Sequence, residues 1–98
     1  MSNTFLILYD QTGSAETRDG LRLEHIEYRR GLGDALHMAG PLLDDAGSAI
    51  GSVIILRAAN PADATAAALA DPFVRTGVLL LRSVTPMRVA MMVPPTGM

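Results

Sequence analysis

A chain of 98 residues, with 49% hydrophobic and 18% charged side chains, has the composition of one globular domain spanning 1–98, with room for a single core. Its net charge of −2, without a basic run, excludes a phosphate-tracking surface and so nucleic acid as a partner. There is no Cys, and all 8 basic residues are Arg, which together exclude disulfides, thiolate nucleophiles, zinc–thiolate sites and Schiff-base catalysis.

The opening Met1-Ser2-Asn3-Thr4 carries no cation ahead of Phe5-Leu6-Ile7-Leu8, so no secretory signal is predicted. No apolar stretch reaches the roughly 18 residues of a membrane span. A cytoplasmic location, with no membrane partner, is therefore expected.

Phe5 to Tyr9 reads as a first strand, closed by the turn chemistry of Asp10-Gln11-Thr12-Gly13. From about Ser14 the periodicity becomes helical. Leu21, His25, Tyr28, Leu32 and then Ala35 or Leu36 recur at spacings of three and four and share one face, with Glu24, Glu27 and Asp34 on the other. Gly31 and Gly33 end this helix near residue 33. Leu36-His37-Met38-Ala39 is a short second strand that stops at a bend over Gly40-Pro41, and Asp44-Asp45-Ala46-Gly47 is a turn. Ala49 to Leu56, rich in β-branched residues, is the third strand. Asn60-Pro61-Ala62-Asp63 starts a helix, with Asn as cap, Pro in the first turn and an acid behind it. The Ala-rich segment to Ala70 is slim enough to lie close on a sheet, and Asp71-Pro72-Phe73 breaks it. Val78 to Val84 is a fourth strand interrupted by Pro86, with Met87 to Val93 continuing it as an edge.

The order β-α-β-β-α-β, with right-handed crossovers, predicts an α+β fold of ferredoxin-like type: an antiparallel sheet with both helices on one face. Leu6-Ile7-Leu8, Val53-Ile54-Ile55-Leu56 and Val78-Leu79-Leu80-Leu81 are apolar on consecutive residues, so both faces of these strands are apolar. Two helices cover only one of them. A sheet face open to water would alternate instead, and the uncovered apolar face predicts a homodimer with two sheets packed face to face.

With Cys and Lys absent, the versatile acid–base groups are His25 and His37. His25 falls on the apolar face of the first helix, where its ring needs a partner: a backbone carbonyl, a water or a functional group. His37 falls in a short strand as a surface residue. Asp71, ahead of Pro72 at a helix break, has the position of a cap for a short helix from Pro72 to Thr76. Two histidines without further ligands do not make a metal site, and the glycines sit at turns, not in a phosphate-cradling motif. No metal and no cofactor is expected.

Arg18, Arg22 and His25, then Ala39-Gly40-Pro41-Leu42, Gly51-Ser52, and Ala70-Asp71-Pro72-Phe73 with Gly77-Val78 resemble, in order, the landmarks of the YciI-like (YCII-related) family. These landmarks span nearly the whole chain. The resemblance implies a ferredoxin-like fold dimerising as an α/β barrel, kinship with muconolactone isomerases, and a His–Asp pair in a cleft. That pair maps onto His25 and Asp71. Some relatives remove chloride from chlorinated hydroxyquinones. The stretch between His25 and Gly40 is shorter here than in the family pattern.

The implied mechanism has Asp71 accept a hydrogen bond from one ring nitrogen of His25, fixing the tautomer and favouring the imidazolium. The other nitrogen then acts as base or acid on a small polar ring compound. Arg22, three residues before His25, and Arg18, near the helix start, are candidates for holding an anionic oxygen; as helix-end cations they also suit plain solvation. Ser52 is a candidate hydroxyl donor to the cleft, or a packing residue of its strand. Gly40 and Pro41 shape a bend. The expected function is a cofactor-free lyase or isomerase. The alternative is a non-catalytic dimer that binds a small molecule in the same cleft or supports a larger pathway.

Overall fold

The chain folds, in a computed structural model that describes residues 3–93, around a sheet whose order brings sequence-distant segments together. The elements are β1 (Thr4–Gln11), α1 (Ala15–Gly31), a 3-10 turn (Gly33–Ala35), β2 (Leu36–Leu43), β3 (Ala49–Arg57), α2 (Pro61–Leu69), α3 (Pro72–Arg75) and β4 (Leu79–Met87). The strands lie in the order β2-β3-β1-β4, and every neighbouring pair is antiparallel. The connection through α1 straddles β3, and the one through α2 and α3 straddles β1. This is the ferredoxin-like arrangement, with the helices on one face.

Alternation along the central strands decides which face they cover. Phe5, Ile7 and Tyr9 of β1, and Ile54 and Leu56 of β3, are buried beneath the helices. Ala64 and Ala68 let α2 approach closely, and Phe73, Val78 and Leu79 close the same core. The residues between them point to the other face. There Leu6, Leu8, Val53 and Ile55 are half-buried, and Met38, Leu42 and Leu80 are exposed. One side of the sheet is a core, and the other is an apolar surface without a helical cover.

Local chemistry sets the element ends. Ser14 Oγ accepts the Thr17 N–H at 3.1 Å and starts α1. Asn60 Oδ1 accepts the Asp63 N–H at 2.8 Å and starts α2, with Pro61 in its first turn. The short α3 ends in a Schellman turn. Val78 N–H reaches Phe73 O at 2.8 Å and Gly77 N–H reaches Val74 O at 3.2 Å, with Gly77 at φ 80° where a side chain would be strained. Gly51 is needed for a different reason: a Cβ there would run into the Tyr9 carbonyl of the adjacent strand.

Two strands differ from the sequence-based expectation. β2 does not stop at Gly40-Pro41 but continues to Leu43, with Pro41 opposite Ser52. β4 runs through Pro86, which pairs opposite Phe5, to Met87, and residues 88–93 form no strand. Both are edge strands, where one side of the backbone needs no ladder partner and Pro is accommodated.

Candidate active site

The site begins with the break between α2 and α3. Pro72 keeps Asp71 out of helical geometry, at φ −59° and ψ 130°, so its side chain turns back over the first turn of α3. Asp71 Oδ1 accepts the Phe73 N–H at 2.9 Å and thus caps α3, as the sequence suggests. The same oxygen lies 2.8 Å from His25 Nδ1. Capping and histidine pairing are not alternatives, because a carboxylate oxygen has two lone pairs.

His25 is carried by α1 and stacks on Phe73, with ring centroids 3.9 Å apart and planes 5° from parallel. Its ring is therefore held in orientation by a carboxylate at one edge and an aromatic face beneath. With Nδ1 on Asp71, Nε2 is the nitrogen without a hydrogen-bond partner among the described residues. The imidazole side chain keeps 15% of its surface exposed, against 1% for Asp71.

The second oxygen of Asp71 is taken by a residue that the sequence reading did not single out. Arg29 Nε donates to Asp71 Oδ2 at 3.0 Å, and Arg29 Nη1 donates to Ser52 Oγ at 3.0 Å. Ser52 Oγ in turn donates to the Gly40 carbonyl at 3.3 Å. Ser52 is thus engaged between a guanidinium and a backbone oxygen. Arg29 is only 7% exposed, and its Cζ lies 5.4 Å from the Tyr9 ring centroid. Its Nη2 has no hydrogen-bond partner among the described residues. The network joins α3, α1 and β3 through side chains and reaches β2 at the Gly40 backbone carbonyl.

Burial pushes the Asp71 carboxyl up, but the hydrogen bond and charge of His25, the Phe73 N–H and the Arg29 guanidinium outweigh it and hold the group below its usual value. Two tyrosines nearby are kept neutral. Burial pushes Tyr9 up to about 12 and also raises Tyr28. Their hydroxyls donate to Ala68 O at 3.3 Å and Ala67 O at 2.7 Å. They satisfy carbonyls at the end of α2, which leads directly into Asp71.

His25 and Arg29 open onto a cleft of about 760 Å³ between α1 and the β2–β3 end of the sheet, lined also by Arg18, Arg22, Pro41 and Phe73. Arg18, Arg22, His25 and Arg29 follow one another at intervals of four, three and four, a single stripe along α1. Arg18 Nη1 is 3.5 Å from Gln11 Oε1, and its Nε is 3.8 Å from Asp19. Arg22 is exposed and has no hydrogen bond or ion pair to the described residues. His37 does not join this group; it is exposed on β2 and borders a separate depression with Asn3 and Arg88. Among the described residues no three His, Cys, Asp or Glu side chains are grouped to hold a metal, and no helix is long and apolar enough to cross a membrane.

The arrangement is that of an oriented imidazole: one nitrogen fixed by a buried carboxylate, the other facing the cleft, and the guanidiniums of Arg18 and Arg22 along the same wall. Comparison with known proteins adds three findings. The family model described as the YCII-related domain matches residues 3–88. No curated protein sequence matches. Among solved structures, the chain is similar to 5-chloro-2-hydroxyhydroquinone dehydrochlorinase (TftG) from Burkholderia phenoliruptrix AC1100, solved in complex with 2,5-dihydroxybenzoquinone. That similarity has a TM-score of 0.70 at 24% identity, over 87% of this chain and 91% of the other. It is a likeness of fold.

Proposed function

The chain belongs to the YCII-related domain family, and on that footing we propose that it is a cofactor-free lyase or isomerase in which His25 and Asp71 move a proton on a small hydroxylated ring compound. The observation that carries this reading is the 2.8 Å contact from His25 Nδ1 to a carboxylate that is itself 1% exposed. A surface histidine needs no such partner, and a histidine buried for packing alone would not border a cleft. The activity in the name of the structurally similar dehydrochlorinase, loss of HCl from a chlorinated hydroxyhydroquinone, supplies the substrate class.

In the proposed step, Nε2 of neutral His25 accepts a proton from an acidic O–H or C–H of the ring. The electron pair left behind forms a new C=O or C=C bond, and either expels a leaving group such as chloride or is reprotonated elsewhere on the ring. The imidazolium that forms keeps its Nδ1–H on Asp71 and then returns the proton to product or water. Arg18 and Arg22, both on the cleft wall, hold the anionic oxygen that develops. Two chains pack through the uncovered sheet face to form a homodimer.

The test is a panel of hydroxylated and chlorohydroxylated benzenes and quinones, followed by absorbance and chloride release, with His25→Ala and Asp71→Asn alongside the wild type. Loss of general acid–base catalysis lowers the rate by about 10²–10⁴-fold. Turnover that survives His25→Ala unchanged rejects the reading. Calorimetric binding of panel members without any turnover identifies the protein as a binding module.

A further inference from the structure

The acid–base reading assigns roles to His25 and Asp71 and none to the cation buried beside them. We propose that Arg29 is a positioning residue for the pair: by holding the second oxygen of Asp71, it keeps His25 a neutral imidazole, protonated on Nδ1 and free to accept at Nε2. The proposal rests on that acid–base reading and specifies the protonation state in which the site waits.

The charges of Asp71 and Arg29 must balance where both side chains are almost fully buried. Asp71 is 1% exposed and the Arg29 side chain 8%. A buried carboxylate requires a countercharge, and a guanidinium supplies one permanently, because it does not lose its proton in proteins. Asp71 alone beside His25 would draw a proton onto the ring and favour the imidazolium, as the bare pair implies. With Arg29 Nε at 3.0 Å from Oδ2, the carboxylate is already compensated, and a proton added to Nε2 would leave the trio with an excess positive charge.

Every other element around His25 argues in the same direction or is silent. Arg18, Arg22 and Arg30 of α1 line the cleft, with Asp19 as the one acid among them. Tyr28, also on α1, is kept neutral by burial, and the nearby ionisable groups outside α1 are Asp71 itself and Tyr9 on β1, likewise neutral through burial. β2 and β3 present Gly40 O and Ser52 Oγ, and α3 presents the Phe73 ring. The surroundings thus contain more cations than anions and oppose a positive charge on the ring.

The geometry also explains why the residue is Arg. Nε faces the carboxylate while Nη1 faces Ser52, so one planar group is fixed from two directions by α3 and β3. A lysine ammonium has the charge but not the fork. Fixing the guanidinium fixes Asp71 Oδ2, and with it the direction in which Oδ1 receives the imidazole. Arg29 does not touch the reacting atoms in this scheme; it acts through Asp71.

The experiment needs no substrate. The two imidazoles are titrated by ¹⁵N-edited NMR in the wild type, Asp71→Asn, Arg29→Gln and Arg29→Lys, with His37→Gln assigning the signals. The expected results are a neutral, Nδ1-protonated His25 in wild-type protein at pH 7.5 and a midpoint about one pH unit higher in Arg29→Gln. Asp71→Asn lowers the midpoint, and Arg29→Lys returns it most of the way to wild type. A midpoint that is unchanged or lower in Arg29→Gln, while Asp71→Asn still lowers it, overturns the role of Arg29 and leaves the pair intact. A midpoint indifferent to Asp71→Asn overturns the pair and Arg29's role together. An imidazolium in the wild type at pH 7.5 overturns the proposal even if no Arg29 variant folds.

Discussion

Asp71→Ala removes one carboxylate and thereby strands three donors, and the largest loss is expected on the side of Arg29. The guanidinium side chain is 8% exposed and has Asp71 as its only ion-pair partner among the described residues, so deleting the acid leaves a buried, unpaired charge. Breaking a buried pair in this way costs about 3–5 kcal/mol. The lost bond to the Phe73 N–H, at 2.9 Å, is an α3 cap worth about 1 kcal/mol. His25, partly exposed, can exchange its bond for water. Because these effects share two oxygens they do not add in full, and a net loss of about 4 kcal/mol is expected. Urea unfolding followed by far-UV circular dichroism reads it directly: with a slope of about 2 kcal/mol/M, the midpoint falls by about 2 M. Adding Arg29→Met removes the stranded charge and should recover about 2 kcal/mol. A single-mutant loss below about 1 kcal/mol, or no recovery in the double mutant, would show that water reaches Arg29 and would refute the buried network.

The depressed value of Asp71 has a definite sign in pH dependence. A carboxyl held lower in the folded than in the unfolded chain contributes stability that is complete above the unfolded value of about 3.9 and is lost as pH falls through the folded value. Calorimetric melting temperatures taken from pH 7 down to pH 3 should therefore show the gap between wild type and Asp71→Asn closing on the acid side; a gap that widens there contradicts the assignment. Gly51→Ala places a Cβ against the Tyr9 carbonyl and should lower the melting temperature by about 5–15 °C. Gly40→Ala, with nothing within 4 Å of the added atom, should leave it within about 3 °C. On the open face, Ile55→Lys sits opposite Leu6 and Met38 and should convert a wild-type dimer to monomer in light scattering at micromolar concentration. A monomeric wild type would remove the face-to-face packing altogether.

Which parts of the fold were legible depended on whether the signal was local. The Asn60-Pro61 start, the Ser14 start and the β-branched third strand each carry their own cause, and the structure has them within a residue or two. Gly40-Pro41 and Pro86 misled for a non-local reason. Pro breaks a central strand but rides on an edge, and nothing near residues 41 or 86 says which strands are edges. That follows only from the order β2-β3-β1-β4. The shortfall at β2 and the early stop at Pro86 therefore have one source, strand position being a property of the assembled sheet.

The candidate site was legible in the same uneven way. Spacing put His25 on the apolar face of α1, and the Asp-Pro break put Asp71 at a cap, but only a family resemblance joined two residues 46 positions apart in sequence. The cap and the pairing fall on one atom, since Asp71 Oδ1 serves both. Arg29 was hidden by its neighbour: Arg29-Arg30 at a helix C-terminus is what solvation and the helix dipole alone would favour, and Arg30 is indeed exposed while Arg29 is buried. The distinguishing signal was in the numbering all along. Arg29 lies four residues after His25, the spacing that puts two side chains on one face. A cation one turn from a buried-face histidine is placed to share that histidine's carboxylate, and Arg29 Nε does so at 3.0 Å from Asp71 Oδ2.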